Sequence, residues 1–248
     1  MIPYVRQEKI LNELSKVELL KIETLQELIP SVSISTLRRD LKELEKLGKV
    51  VMLTGGAVKI TSATVELPIS AKRTLCSKEK EAIAELAATR INDGDVIYLD
   101  SGSTCTTLLN KIINKKISIV TTNASVFGIT STIQAEIIVL GGRYNPATSS
   151  LNGTLSDNNI HYFNFDKAFL GANGIDIVKG VSTPDLVEAN KKQTIINNSQ
   201  KSYLLCDSSK FHKLSTIKAF DLKEVTLVTD KFDQQISEIT EMIYPNKS

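Results

Sequence analysis

The chain has 248 residues, 42% hydrophobic and 23% charged, with a formal net charge of +2. That is room for a small module plus a domain with its own core, and it is too little charge to argue nucleic-acid binding by itself. No run of about 18 apolar residues is present, so no membrane-spanning helix is expected. The charged segment from Met1 to Leu14 lacks a secretory core, and Cys76, Cys105 and Cys206 form no C-x-x-C pair; a cytoplasmic protein with reduced thiols and no zinc site is expected.

The first sixty residues read as helices joined by short turns. Pro3 suits an early helical position, and Ile10, Leu11 and Leu14 give the segment 3–17 one apolar face. A second helix over 22–29 buries Leu25, Leu28 and Ile29, and Pro30-Ser31-Val32 then forces a turn because proline cannot continue the helix. A third helix over 35–47 has Ser33 as its N-cap and Gly48 at its end. Its Leu37, Leu41, Leu44 and Leu47 form one inward stripe. Ser35, Arg39, Lys42 and Lys46 project from the other side, with Thr36 and Arg38 on the flanks. Val50, Val51 and Leu53 have strand character, and Gly55-Gly56 marks a tight turn.

Helix, helix, turn, helix and hairpin is the order of a winged helix-turn-helix. In such a module the first turns of the third helix read base edges and later cations meet phosphates. Arg38 and Arg39 can fork onto guanine acceptors, and Ser35 and Thr36 allow close approach, with Ser33 at the helix entrance. Periodicity alone leaves DNA reading and a plain solvated face equally open. Placement of charge leans slightly toward DNA, since residues 1–60 carry ten Lys/Arg against eight Asp/Glu and thus the whole positive surplus.

The run Val32-Ser33-Ile34-Ser35-Thr36-Leu37-Arg38-Arg39-Asp40-Leu41, followed by Leu44-Glu45, Gly48 and Gly55-Gly56-Ala57, resembles the DNA-binding signature of the DeoR family of bacterial repressors. The resemblance implies that Ser33, Ser35, Thr36, Arg38, Arg39, Lys42 and Lys46 face double-stranded operator DNA. One departure stands in the wing: Met52 and Thr54 occupy positions where the family often carries a basic residue and a histidine, which puts the wing's phosphate contacts in question.

A linker is expected over 61–72, from Thr61-Ser62-Ala63-Thr64 past Pro68, and an amphipathic helix over 78–91 turns Ile83, Leu86, Ala87 and Ile91 inward. Short apolar runs then alternate with helical stretches, at 96–99, 117–120, 137–140, 168–170, 203–206 and 225–228. Continuous apolar runs imply strands covered on both faces, hence a mostly parallel sheet in an α/β domain over 73–248.

Ligands of such sheets sit beyond the carboxyl ends of the strands. The runs are followed there by Asp100-Ser101-Gly102-Ser103-Thr104, Thr122-Asn123, Gly141-Gly142-Arg143, Gly171-Ala172-Asn173-Gly174 and Asp207 with Lys210. The first stretch leads into a helix over 106–113, and a glycine with hydroxyls at a helix start points free N–H groups at one spot, as a phosphate requires. A simple helix cap reads the same way. Arg143 is equally well a surface charge, Cys105 and Cys206 are expected as packing residues, and neither His161 nor His212 has a partner at metal-ligand spacing.

The sensor domain of the DeoR family is similar to ribose-5-phosphate isomerase, and the resemblance runs here from about residue 5 to 231, with Thr154 where the family commonly has proline. It implies that Gly102, Ser103 and Thr104 hold a phosphate, and that Asp100, Thr122, Asn123 and Asp207 bond sugar hydroxyls. It adds Gly141, Gly142 and Asn173 to the site, with Lys192 or Lys210 as counter-charge; Lys191 is the alternative near Glu188, and register favours Lys192. The expected protein is a repressor of sugar-metabolism genes, a homodimer or homotetramer without cofactor or metal. Its operator affinity would be altered by a phosphorylated sugar. A sugar-phosphate isomerase with Glu188, then Asp207, as base is the rival reading; a C-terminal domain that only oligomerises is the third.

Overall fold

Three leucines of one helix close the first core. The computed structural model describes residues 2–17, 19–46, 49–53, 55–60 and 69–245, and the chain divides into two units, Met1–Leu75 and Cys76–Ser248. In the first, α1 (Pro3–Ser15), β1 (Leu20–Lys21), α2 (Ile22–Leu28) and α3 (Ile34–Lys46) precede β2 (Val50–Leu53), β3 (Ala57–Ile60) and α4 (Ile69–Thr74). Leu37, Leu41 and Leu44 are fully buried against Ile10, Leu11, Leu14, Ile22 and Leu25.

The strands form an antiparallel sheet in the order β1-β3-β2. Gly55 and Gly56 turn the β2–β3 hairpin at φ +87° and +77°, a region other residues enter only at a cost. Helix, helix, turn, helix and hairpin is thus the order found, with the short strand β1 added before α2 and with Leu28, expected inside, exposed at the end of α2. The proposed fourth leucine Leu47, the terminal Gly48, the wing residue Thr54 and residues 61–68 of the expected linker lie outside the described residues. Residues 69–72, also expected as linker, instead begin α4, whose Ile69 is buried.

The second unit opens with α5 (Ser77–Ala88), β4 (Val96–Leu99), α6 (Ser103–Ile112), β5 (Ser118–Thr121) and β6 (Glu136–Val139). A hairpin of β7 (Arg143–Asn145) and β8 (Ser150–Asn152) follows, then α7 (Thr154–Ile160), β9 (Phe165–Gly171), β10 (Gly174–Asp176) and β11 (Gly180–Thr183). The unit ends with α8 (Leu186–Asn197), β12 (Ser199–Leu205), β13 (Ile217–Phe220), β14 (Thr226–Val228), α9 (Gln234–Ser237) and β15 (Met242–Ile243).

Seven strands form one sheet in the order β15-β14-β12-β9-β4-β5-β6, and every pairing is parallel. Its two faces build two cores from alternate residues of the same strands. Ile97, Leu99 and Phe169 pack with Ile83, Leu108 and Ile112 of α5 and α6. Tyr98, Ala168 and Leu170 pack with Ile160, Ala189 and Ile236 of α7, α8 and α9. This two-sided burial is why the strands read as unbroken apolar runs.

Chain order reverses between β4 and β9: successive strands add outward from β4 on one side and from β9 on the other. The chain therefore leaves β4 toward α6 on one face and β9 toward α8 on the other, and such a switch point is where open α/β sheets take ligands, in the crevice beyond the carboxyl ends. A smaller antiparallel sheet, β10-β11-β13, lies outside the main one.

Candidate functional site

On the first unit, α3 presents Ser35, Arg38, Arg39, Lys42 and Lys46 to solvent while Thr36 is half-buried. The Ser33 hydroxyl accepts from the Thr36 N–H (3.3 Å) and lies 3.0 Å from the Ser35 hydroxyl and 2.9 Å from that of Thr36, so it caps the helix as its position suggested. None of Arg38, Arg39, Lys42 and Lys46 has an ion-pair partner among the described residues, which leaves four cations along one exposed edge. The acidic side chains of α3 are engaged inside the unit: Asp40 by Arg6, Glu43 by Gln7 (2.7 Å) and Glu45 by the Met52 N–H (2.8 Å).

The Glu45 bond also fastens the wing to α3. On that wing Lys59 is exposed, paired in register with Val51. Sequence reasoning looked for a wing cation before the glycine pair and missed this one after it; its signal was a lysine between two apolar residues of a strand.

The second site forms beyond the carboxyl ends of β4 and β9. Gly102 precedes α6, and no side chain caps that helix. The helix starts at Ser103, three residues earlier than expected, so Ser103 and Thr104 lie in its first turn. Both residues are buried, 8% and 7% exposed, and their hydroxyls have no partner among the described residues. First-turn N–H groups have no partner within their own helix, so Ser103, Thr104 and Cys105 add amide donors and the positive end of a helix dipole. Gly171 lies opposite: a Cβ on Gly102 would stand 3.9 Å from the Gly171 Cα. Neither residue has a side chain to cover the helix start, although the Gly171 N–H itself donates to Asp100.

Behind this turn sits a buried group of charges. Asp100 accepts from the Ser101 N–H (2.8 Å), the Gly171 N–H (3.0 Å) and the Lys192 ammonium. Burial pushes the Asp100 carboxyl up, but Lys192 and Lys191 outweigh it and hold the group below its ordinary value. Burial also opposes charge on Lys192, and Asp100 with Glu188 overcomes it, so that ammonium is held above its usual range. Lys191, next along α8, donates to the Asn152 Oδ1 (2.7 Å) and reaches the Thr122 hydroxyl (3.5 Å). Burial dominates there and lowers its pKa. Tyr98 and Thr122 hydroxyls lie 3.2 Å apart, and Glu188 accepts from the Thr183 hydroxyl (2.9 Å).

The expected effector residues divide by where they fall. Asp100, Gly102, Ser103, Thr104, Thr122 and Lys192 gather at this crevice. The Asn123 amide is committed within the protein: it donates to Thr106 Oγ1 (2.9 Å) and the Asp100 carbonyl (3.4 Å) and accepts from the Ser125 N–H (2.9 Å). Gly142 is required by packing, since a Cβ there would meet the Asn152 carbonyl at 2.6 Å, whereas Gly141 is exposed and unconstrained.

Asp207 is buried and caps the turn 208–210 through Ser209, and Lys210 in that turn is half-buried without a partner among the described residues. Asn173 is half-buried, its N–H bonded to the Ser182 carbonyl (3.1 Å). The site also contains Asn152 and Tyr98, which were not expected there, together with Gly171 of the expected glycine stretch and Lys191, the alternative to Lys192. Cys105 and Cys206 are fully packed, and burial pushes both thiols up.

Two family models match the chain. One describes a DeoR-like helix-turn-helix domain and covers residues 6–63; the other describes the DeoR C terminal sensor domain and covers residues 75–231. An uncharacterized HTH-type transcriptional regulator, FruR, of Bacillus subtilis is 34% identical over 90% of this chain and 89% of its own. The lactose phosphotransferase system repressor of Streptococcus mutans is 32% identical over 96% of this chain and 100% of its own. Among solved structures, ribose 5-phosphate isomerase A of Methanocaldococcus jannaschii is a distant likeness: 17% identity over 55% of each chain, with a TM-score of 0.41.

Proposed function

The chain belongs to the DeoR family of transcriptional regulators, and from that premise we propose that it represses sugar-metabolism genes and that a phosphorylated sugar alters its grip on operator DNA. The relative named as a lactose phosphotransferase system repressor points to the same class of genes. One observation carries the effector half: two buried, unpartnered hydroxyls, Ser103 and Thr104, stand at the uncapped start of α6, at the point where strand order reverses. A phosphate supplies the acceptors those donors lack. Lys210 is the available counter-charge, because Lys192 is engaged by Asp100. Asp100, with acceptor capacity left, and Thr122, Lys191 and Asn173 would read the sugar hydroxyls.

Regulation then follows from differential affinity. The sugar phosphate favours one arrangement of the protein, and that arrangement binds the operator better or worse than the other. A helix-turn-helix reads one half-site, so we propose a homodimer or homotetramer that covers a two-fold operator.

The test is fluorescence anisotropy on DNA from the protein's own upstream region, titrated with a panel of sugar phosphates. Salt-sensitive specific binding that one sugar phosphate shifts is the expected result. No binding to that DNA at low ionic strength would overturn the DNA half, and binding unaffected by every member of the panel would overturn the effector half.

A further inference from the structure

Arg6 is 8% exposed, on a helix that carries none of the expected DNA contacts. Its guanidinium Nε and Nη2 donate to the two carboxylate oxygens of Asp40, the second at 2.9 Å, and Asp40 is 1% exposed. Asp40 directly follows Arg38 and Arg39 on α3. We infer that Arg6 is a positioning residue for DNA recognition: through Asp40 it sets the axial rotation of α3 and so aims Arg38 and Arg39 at the duplex. This rests on the reading of α3 as the DNA-contacting helix.

The apolar contacts alone set that rotation only coarsely. Leu37, Leu41 and Leu44 pack against Ile10, Leu11 and Leu14 of α1, and apolar attraction has no directional preference. A two-pronged guanidinium–carboxylate pair does, because both donor lines and the plane must match at once. Successive residues of a helix differ by about 100° in direction, so an Asp40 held inward keeps Arg39 outward. Gln7 to Glu43, one turn further along α3, repeats the link between the same two helices at the solvent edge. The pair also removes a carboxylate charge from the neighbourhood of the DNA phosphates.

Buried ion pairs replaced by apolar residues of similar volume often leave stability unchanged, so fold and aim can be separated. The test compares the intact protein with Arg6→Met/Asp40→Leu and with Arg6→Lys, which keeps the charge but loses the fork. Operator affinity, affinity for an unrelated duplex and the melting midpoint are measured together.

In the double variant, operator affinity is expected to fall at least about tenfold, the equivalent of one base contact. Non-specific affinity and melting should stay near those of the unaltered chain. Arg6→Lys should lose operator affinity in the same direction, which keeps the test decisive if the double variant does not fold. Operator binding at the original affinity in either folded variant would overturn the inference, and so would an equal loss on both DNAs. Failure of the unaltered chain to bind its operator would instead overturn the DNA reading on which the inference rests.

Discussion

Gly102 allows the demands of the fold to be separated from those of the proposed ligand. Its backbone is ordinary, at φ −65° and ψ 158°, and an added Cβ would make only a van der Waals contact. Gly102→Ala should therefore melt like the parent while losing the shift in operator affinity caused by the sugar phosphate; anisotropy with and without ligand checks both halves. Thr104→Val should give the same split by removing one hydroxyl. Asp100→Asn differs, because it leaves the buried Lys192 ammonium without its counter-charge. A loss of about 3–5 kcal/mol is expected, readable as a shift of the urea midpoint at neutral pH.

The sign with pH follows from the depressed carboxyl of Asp100. Its contribution is complete above the ordinary carboxylate range and disappears as the pH falls through that range to the lower folded value. The parent should lose stability over that acid window, and Asp100→Asn should lose less there. At this scale Asp100, Gly102 and Thr104 were legible, since small residues after a strand announce themselves. Asn152 was not, and Lys191 stood only as the alternative to Lys192, because their meeting depends on how α8 and β8 fold back over the sheet.

At the scale of elements, α3 was the most readable part of the chain, since its leucine stripe marks the inward side. Arg39→Ala should cost about 1–3 kcal/mol of operator binding with little effect on an unrelated duplex, if it reads a base. Lys59→Ala on the wing should weaken both and reduce the slope of log affinity against log salt by about 1. A salt titration of each variant separates the two roles.

Six of the seven strands of the main sheet were readable as apolar runs, and the two-residue edge strand β15 was not. The β7–β8 hairpin and the small sheet β10-β11-β13 were not, because none of their strands carries a run of three apolar residues. Gly174 and Gly180 also interrupt the pattern there, each placed where a Cβ would strike a neighbouring carbonyl, of Lys213 and Phe220. The early start of α6 was missed because Ser103 and Thr104 read as turn residues, although hydroxyls in a first helical turn serve as readily.

For the whole molecule, binding at the crevice should stabilise the second unit by mass action. At a ligand concentration a hundredfold above Kd the gain is about 2.7 kcal/mol, so calorimetry should move the transition that unfolds the parallel sheet; a transition that ignores every sugar phosphate would remove the effector. The order of the sheet has a further consequence, for biosynthesis. Unit 1 closes its core with residues 10–58, whereas the centre of the sheet cannot close until β9 joins β4, at residue 171. Ribosomes add about 5–20 residues per second. Each nascent chain thus passes through several seconds in which the helix-turn-helix unit is complete before the sensor domain is, and under the proposed function a message truncated in that stretch would encode a DNA-binding unit without its effector site.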